Sequence, residues 1–143
     1  MKVAPLLLLL TIATSASLSP WWNPWTSSLS ALGSSSNGLG GAVFNGGLAL
    51  TSLNLFEDKD VMIKLVGVFL ALVSAINIDF GLAHLAVATL LFLLLHAYLL
   101  LKDPVLAAAS AAFWALHFVA GLPPGIALPE LFTALLASYA YSR

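Results

Sequence analysis

The chain has 143 residues, of which 61% are hydrophobic and 8% charged, with a formal net charge of -1 and no cysteine. A soluble domain of this size has no interior large enough to hide so much apolar side chain, so the composition predicts an integral membrane protein. The same numbers exclude disulfides, thiolate metal sites and cysteine nucleophiles, and the absence of a basic patch gives no case for nucleic acid.

Backbone polar groups inside hydrocarbon must be satisfied internally, which leaves helices or closed barrels. Transmembrane strands alternate apolar and polar residues. The runs 65–75 and 85–95 are instead almost continuously apolar, so the fold class is all-α. About six crossings are expected, at residues 4–19, 40–56, 61–78, 81–101, 104–121 and 126–141, together forming a single polytopic transmembrane bundle. Each is near the roughly 20-residue requirement or a little under it. The start of the chain also has the charged beginning, apolar middle and small-residue end of a secretory signal peptide, in Met1-Lys2 through Ala13-Thr14-Ser15-Ala16-Ser17. It is read here as the first helix, completed at the headgroup boundary by Trp21, Trp22 and Trp25.

The segment 20–39 is uncharged and rich in Ser, Gly, Asn and Trp. Trp25, Leu29 and Leu32 fall at helical spacing, and short polar side chains can bond their own backbone, so an ordered lid is expected rather than a tether. Further along, small residues at Ala42 and Gly46, and at Ala108 and Ala112, suit close helix packing. Pro104 suits a first helical turn, and Gly121-Leu122-Pro123-Pro124-Gly125 breaks the chain into a last hairpin.

With six crossings, Lys2, Lys59, Lys102 and Arg143 share one face, and Lys64 can snorkel to it. The positive-inside rule then puts both termini in the cytoplasm, the protein in the plasma membrane as a multi-pass chain, and the lid outside.

Polar residues within the crossings gather toward the lid face. At about 1.5 Å per residue, Asp79 lies at the outer turn between the third and fourth helices and His84 about 5 Å into the fourth. His117 and Glu130 lie about 6 Å below the outer ends of the last two helices, and Asn45 about 8 Å into the second. Ser110, Trp114 and His117 share a face of the fifth helix, as Glu130, Thr133 and Ala137 do on the sixth. A polar pocket is expected from Asn45, Asp79, His84, His117, Glu130 and Ser30. His96 points about 120° away from His84 and is assigned an interfacial role with Tyr98 and Lys102.

The simplest chemistry for this set is a hydrogen-bonded lock between Glu130 and a histidine. An alternative is zinc held by His84, His117 and Asp79, with Glu130 as general base of a metal-dependent intramembrane lipid hydrolase. A second alternative is a proton or small-solute transporter, although the inner half offers no continuous polar path. No phosphate-cradling loop or serine nucleophile elbow is present.

Four features taken in order resemble a known family: Ser30-Ala31-Leu32-Gly33 after an aromatic, Pro-containing segment; Phe44-Asn45-Gly46-Gly47; Asp79 followed by His84; and Glu130 early in the last helix. The chain resembles the archaeal and bacterial six-helix membrane proteins grouped as domain of unknown function 998. An acidic residue commonly follows the serine in that family and an arginine follows the glutamate, where this chain has Ala31 and Leu131. The resemblance implies six helices and an outer polar site, and names no reaction. The functional expectation is a non-enzymatic component that binds membrane lipid or a partner subunit, as an accessory subunit or homo-oligomer.

Overall fold

A computed structural model describes residues 2–143. Six α-helices follow one another: α1 Ala4–Ser17, α2 Leu39–Phe56, α3 Val61–Ala75, α4 Leu82–Lys102, α5 Pro104–Ala120 and α6 Ala127–Ser142. Short 3₁₀ turns occupy Ser30–Gly33, Ser35–Asn37 and Ile78–Phe80, and there is no strand among the described residues. The expectation of an all-α chain with six helices holds.

Helix length departs from expectation. Only α2 (18 residues) and α4 (21 residues) are both long and apolar enough to cross a membrane by length and composition. The others are shorter for local reasons. At the end of α1 the Ser17 and Ser19 hydroxyls donate to the carbonyls of Thr14 and Ser15, a competition that favours chain exit before Pro20. At the end of α3, Ile76 leaves helical geometry (φ -99°, ψ 73°), and the Asn77 side chain accepts from the Asp79 N–H to start a 3₁₀ turn. Elsewhere the caps are conventional. Asp60 caps α3 through the Met62 N–H, and Asp103 caps α5 through Val105 and Leu106, ahead of Pro104 in the first turn. Gly121 ends α5 in the left-handed region (φ 65°), where an added Cβ would strain the backbone.

The helices close into a ring. α1 packs on α2, α2 on α3, α3 on α4, α4 on α6, and α6 returns to α1, the least extensive contact of the five. α5 lies outside, in the groove between α4 and α6, and buries only Ala107 and Ser110. The tight approach within the ring is at Gly47, where a Cβ would overlap the Thr11 side chain of α1. Gly46, the residue singled out by the small-residue pattern, has open space there, and Ala108 and Ala112 are exposed. Close packing is therefore one position from where the spacing placed it, because the pattern marks small residues without marking which side of the helix meets a neighbour.

The basic residues and three aspartates meet at one end. Lys2 lies 3.8 Å from Asp58, Lys102 is 3.2 Å from Asp60, and Arg143 is 2.9 Å from Asp103. The Tyr141 hydroxyl donates to Asp58 at 2.8 Å, and Lys2 sits 3.7 Å above the Tyr141 ring. The Asp60 N–H, and after it the Tyr141 hydroxyl, hold the Asp58 carboxyl below its ordinary range. Exposed pairs of this kind contribute little stability individually. Their placement nevertheless shows that the amino-terminal end, both charged joints and the carboxyl-terminal end share one face of the bundle, with the lid at the other.

Gly47→Val is expected to destabilise the purified protein by about 1 to 3 kcal/mol through overpacking against Thr11, while Gly46→Val is near neutral. Thermal unfolding of the two variants in the same detergent distinguishes them. Equal melting temperatures would place the α1–α2 contact elsewhere.

Candidate functional site

Residues 18–38 form an ordered lid, tied down on all sides. Leu29 and Leu32 are buried beneath it and Trp25 stays half exposed, so the three do not make a single helical stripe. A segment that turns this often leaves backbone groups without helical partners, and these must be met by other donors and acceptors. On the α1 side, Asn37 bonds Ser19 and also donates to the Leu32 carbonyl at 2.8 Å. From α2, Asn45 Nδ2 donates to the Gly33 carbonyl at 2.8 Å. The α5–α6 joint adds two backbone bonds, Gly125 N–H to Trp25 O and Ala127 N–H to Ser27 O, both 2.9 Å. Trp22 Nε1 donates to Ser28 O at 2.8 Å.

Three ionisable groups complete the attachment. Asp79, at the α3–α4 corner, accepts from the Ser34 hydroxyl at 2.9 Å and from the Ser35 N–H at 2.7 Å. The Ser35 N–H is the main reason its carboxyl is held below the usual range. His84 uses both ring nitrogens. Nδ1 faces the Ile76 carbonyl at 2.5 Å, and since a carbonyl only accepts, Nδ1 carries the proton. In the neutral ring Nε2 then accepts from the Ser30 hydroxyl at 2.8 Å. Glu130, 3% exposed, accepts the Leu29 N–H through Oε2 at 2.6 Å.

Of the six residues expected to form a pocket, Ser30, Asn45, Asp79, His84 and Glu130 all act at the lid, each bonded to lid backbone or to another lid contact rather than converging on one point. His117 is apart. Its Nδ1 donates to the Pro123 carbonyl at 2.7 Å, and its ring packs against Trp114 and Phe118. The expected lock between Glu130 and a histidine is replaced by one between Glu130 and a backbone amide. Among the described residues no three His, Asp or Glu side chains come together as a metal site. The zinc arrangement of His84, His117 and Asp79 is thus not formed: the Asp79 oxygens and His84 Nε2 are engaged by the lid, His84 Nδ1 by the Ile76 carbonyl, and His117 stands apart at Pro123.

Two features were outside the sequence reading. The first is a polar network joining α4, α5 and α6. His96 Nε2 is 2.9 Å from Ser110 Oγ, Ser110 Oγ is 2.7 Å from Thr133 Oγ1, and Trp114 Nε1 donates to Thr133 at 2.9 Å. His96, expected at the interface, instead holds α5 onto the ring. The inward stripes of Ser110 and Thr133 were its visible signal. The partner of His96 was not foreseen because Tyr98 and Lys102, close to it in sequence, pointed it to the interface.

The second is a lumen of about 110 Å³ along the axis of the ring. It is lined by α1, α2, α3, α4 and α6 and by none of α5. Phe44, Leu48, Leu91 and Ala134 are among its walls, Leu29, Ser30 and Glu130 close the lid end, and Tyr98 and Tyr141 close the charged end. From Glu130 to Tyr141 along α6 is about 16 Å. Glu130 Oε1 has no hydrogen-bond partner. Since no fully occluded side-chain oxygen or nitrogen among the described residues is left unpaired, this oxygen opens onto free space, the lumen that Glu130 lines.

Comparison with protein-family models, curated proteins and solved structures yields no match.

Asp79→Asn is expected to speed hydrogen exchange at the Ser35 amide. With a depressed folded-state pKa, the wild-type latch is present above the ordinary carboxylate value of about 4 and is lost as pH falls through the lower folded value. The protection factor at Ser35 in the wild type, taken against the intrinsic amide exchange rate at each pH, should fall on acidification, whereas in the variant it should be low at neutral pH and change little. Equal neutral-pH protection in both proteins would refute the latch.

Proposed function

We propose that the chain is a multi-pass membrane protein, non-enzymatic, whose central lumen takes up one apolar chain of a membrane lipid. The lumen itself carries this reading. It is apolar along its walls, with Ser30 and Glu130 at its lid pole and Tyr98 and Tyr141 at its charged pole, about 16 Å apart along α6.

Membrane embedding is supported by the outside of the bundle. Leu50 and Leu53 on α2, Leu82 and Leu93 on α4, and Val105 and Val119 on α5 are all more than half exposed. Apolar side chains facing outward on successive helices suit lipid contact and are rare on soluble monomers. The shorter helices have lengths below the bilayer core, and a bundle can accommodate this by local thinning of the bilayer and by snorkelling of flanking residues such as Lys64. The charged end, with Lys2, Lys59, Lys102 and Arg143, is assigned to the cytoplasm and the lid to the outside. Membership of the domain of unknown function 998 family belongs to the same proposal and rests on the ordered motifs described above. The entry route for a chain is the seam between α1 and α6, where the ring is least extensively packed.

Lipid is expected to remain with protein purified in mild detergent and to be seen as a discrete adduct by native mass spectrometry. Leu91→Trp, which fills the lumen from α4, should reduce the adduct to under half while preserving a cooperative melt. An undiminished adduct in a folded Leu91→Trp protein would place the lipid on the outer surface and overturn the lumen as its site.

A further inference from the structure

The lumen has chemically different poles, and the difference specifies what its occupant carries. At the lid pole stands a carboxyl group, 97% removed from solvent by its 3% exposure, with one oxygen committed to Leu29 and the other aimed into the cavity. No Lys, Arg or His lines the space. A phosphate or carboxylate head would therefore meet a carboxyl group with no cation to neutralise it, and its desolvation would go uncompensated. An ammonium head would form a buried ion pair, whose mutual attraction commonly fails to recover the desolvation of both ions. A bulky polar headgroup has no room under Leu29 and Ser30, where the lid closes the cavity and Ser30 is already bonded to His84. A hydroxyl suits the place. It donates to Oε1 if Glu130 is ionised and accepts from Glu130 if the acid is protonated, so it is satisfied in both states. At the other pole the Tyr98 and Ser138 side chains line the cavity, which bounds the chain length.

We infer that Glu130 and the lumen beneath it form a binding site for a single-chain, hydroxyl-terminated lipid, such as a fatty or isoprenoid alcohol, its hydroxyl on Glu130 Oε1 and its chain running along α4 and α6 toward Tyr98. The inference rests on the lumen being a chain-binding cavity and adds the identity of the head. Dependence on Glu130 makes it a binding residue that touches the ligand. Hydrogen-bond matching at a buried site discriminates more strongly than chain length, because a ligand without the hydroxyl leaves Oε1 unpaired.

The experiment uses full-length protein in lipid nanodiscs with two diazirine-bearing probes, dodecan-1-ol and dodecane, which differ only in the hydroxyl. Labelled positions are mapped by peptide mass spectrometry. Lumen sites such as Leu91 and Ala134 are compared with the outward Leu93 and Val119, and excess unlabelled dodecan-1-ol serves as competitor. The expected result is saturable lumen labelling by the alcohol, tenfold or more weaker for the alkane. That ratio corresponds to about 1.4 kcal/mol or more. Glu130→Gln, which keeps a hydrogen-bonding head, should retain most of the preference, and Glu130→Leu should abolish it. Equal saturable lumen labelling by alcohol and alkane in the wild type would overturn the hydroxyl assignment and leave the lumen as a chain site. No saturable lumen labelling by either probe would overturn the chain-binding reading itself. The wild-type comparison decides the matter even if Glu130→Leu fails to fold.

Discussion

An irregular segment capping a helical bundle creates a demand for hydrogen-bond partners, and most of this structure is arranged around meeting it. The lid cannot satisfy its own backbone as a helix does. The bond from the Leu29 N–H to Glu130 is the deepest of the attachments, spanning 101 residues of sequence and lying in a buried position. A charge-assisted or acid–amide bond in a low-dielectric setting is strong when made and costly when left unmade. The remaining ties, from Asn45, Asp79, His84 and the α5–α6 joint, are shallower and radiate from it. Each comes from a different helix or corner, so docking the lid also fixes how the helices sit around the axis.

The lumen follows from that arrangement. All five ring helices present apolar side chains of mixed size to the axis, with Ala88 on α4 and Ala134 and Ala137 on α6 leaving space where larger residues would fill it. A bundle with this composition would ordinarily collapse onto such a space, since voids forfeit contact energy. Here the lid braces one end, and the Tyr141–Asp58 bond with its neighbouring ion pairs braces the other. An axis held open at both ends, closed by a carboxyl group at one of them, is the physical basis of the functional proposal.

α5 has a different role. It shares none of the lumen wall and is attached to α4 and α6 by the His96, Ser110 and Thr133 chain, with aromatic contacts from Trp114 to Phe92 on α4 and from Phe113 to Phe132 on α6. The network ties in a helix whose own fully buried residues are only Ala107 and Ser110.

The patterns that were legible in the sequence are those set by composition and by helical periodicity. Continuous apolar runs, Pro104 and the breaker at 121–125 mark six helices, because backbone bonds within a helix are local. The gathering of basic residues at one end follows from counting reversals. Inward faces of α5 and α6 were visible as stripes through Ser110, Trp114, Glu130 and Thr133, and the polar residues at the lid end were visible by depth. Partner identity was not, since it depends on where a nonhelical segment folds back, and nothing periodic encodes that. Tertiary structure alone decided that Asn45, Asp79, His84 and Glu130 bind the lid and not one another, that His117 stands apart, and that His96 turns inward to Ser110. It also decided that five of the helices leave an axial cavity, because that is an outcome of packing between segments far apart in the chain.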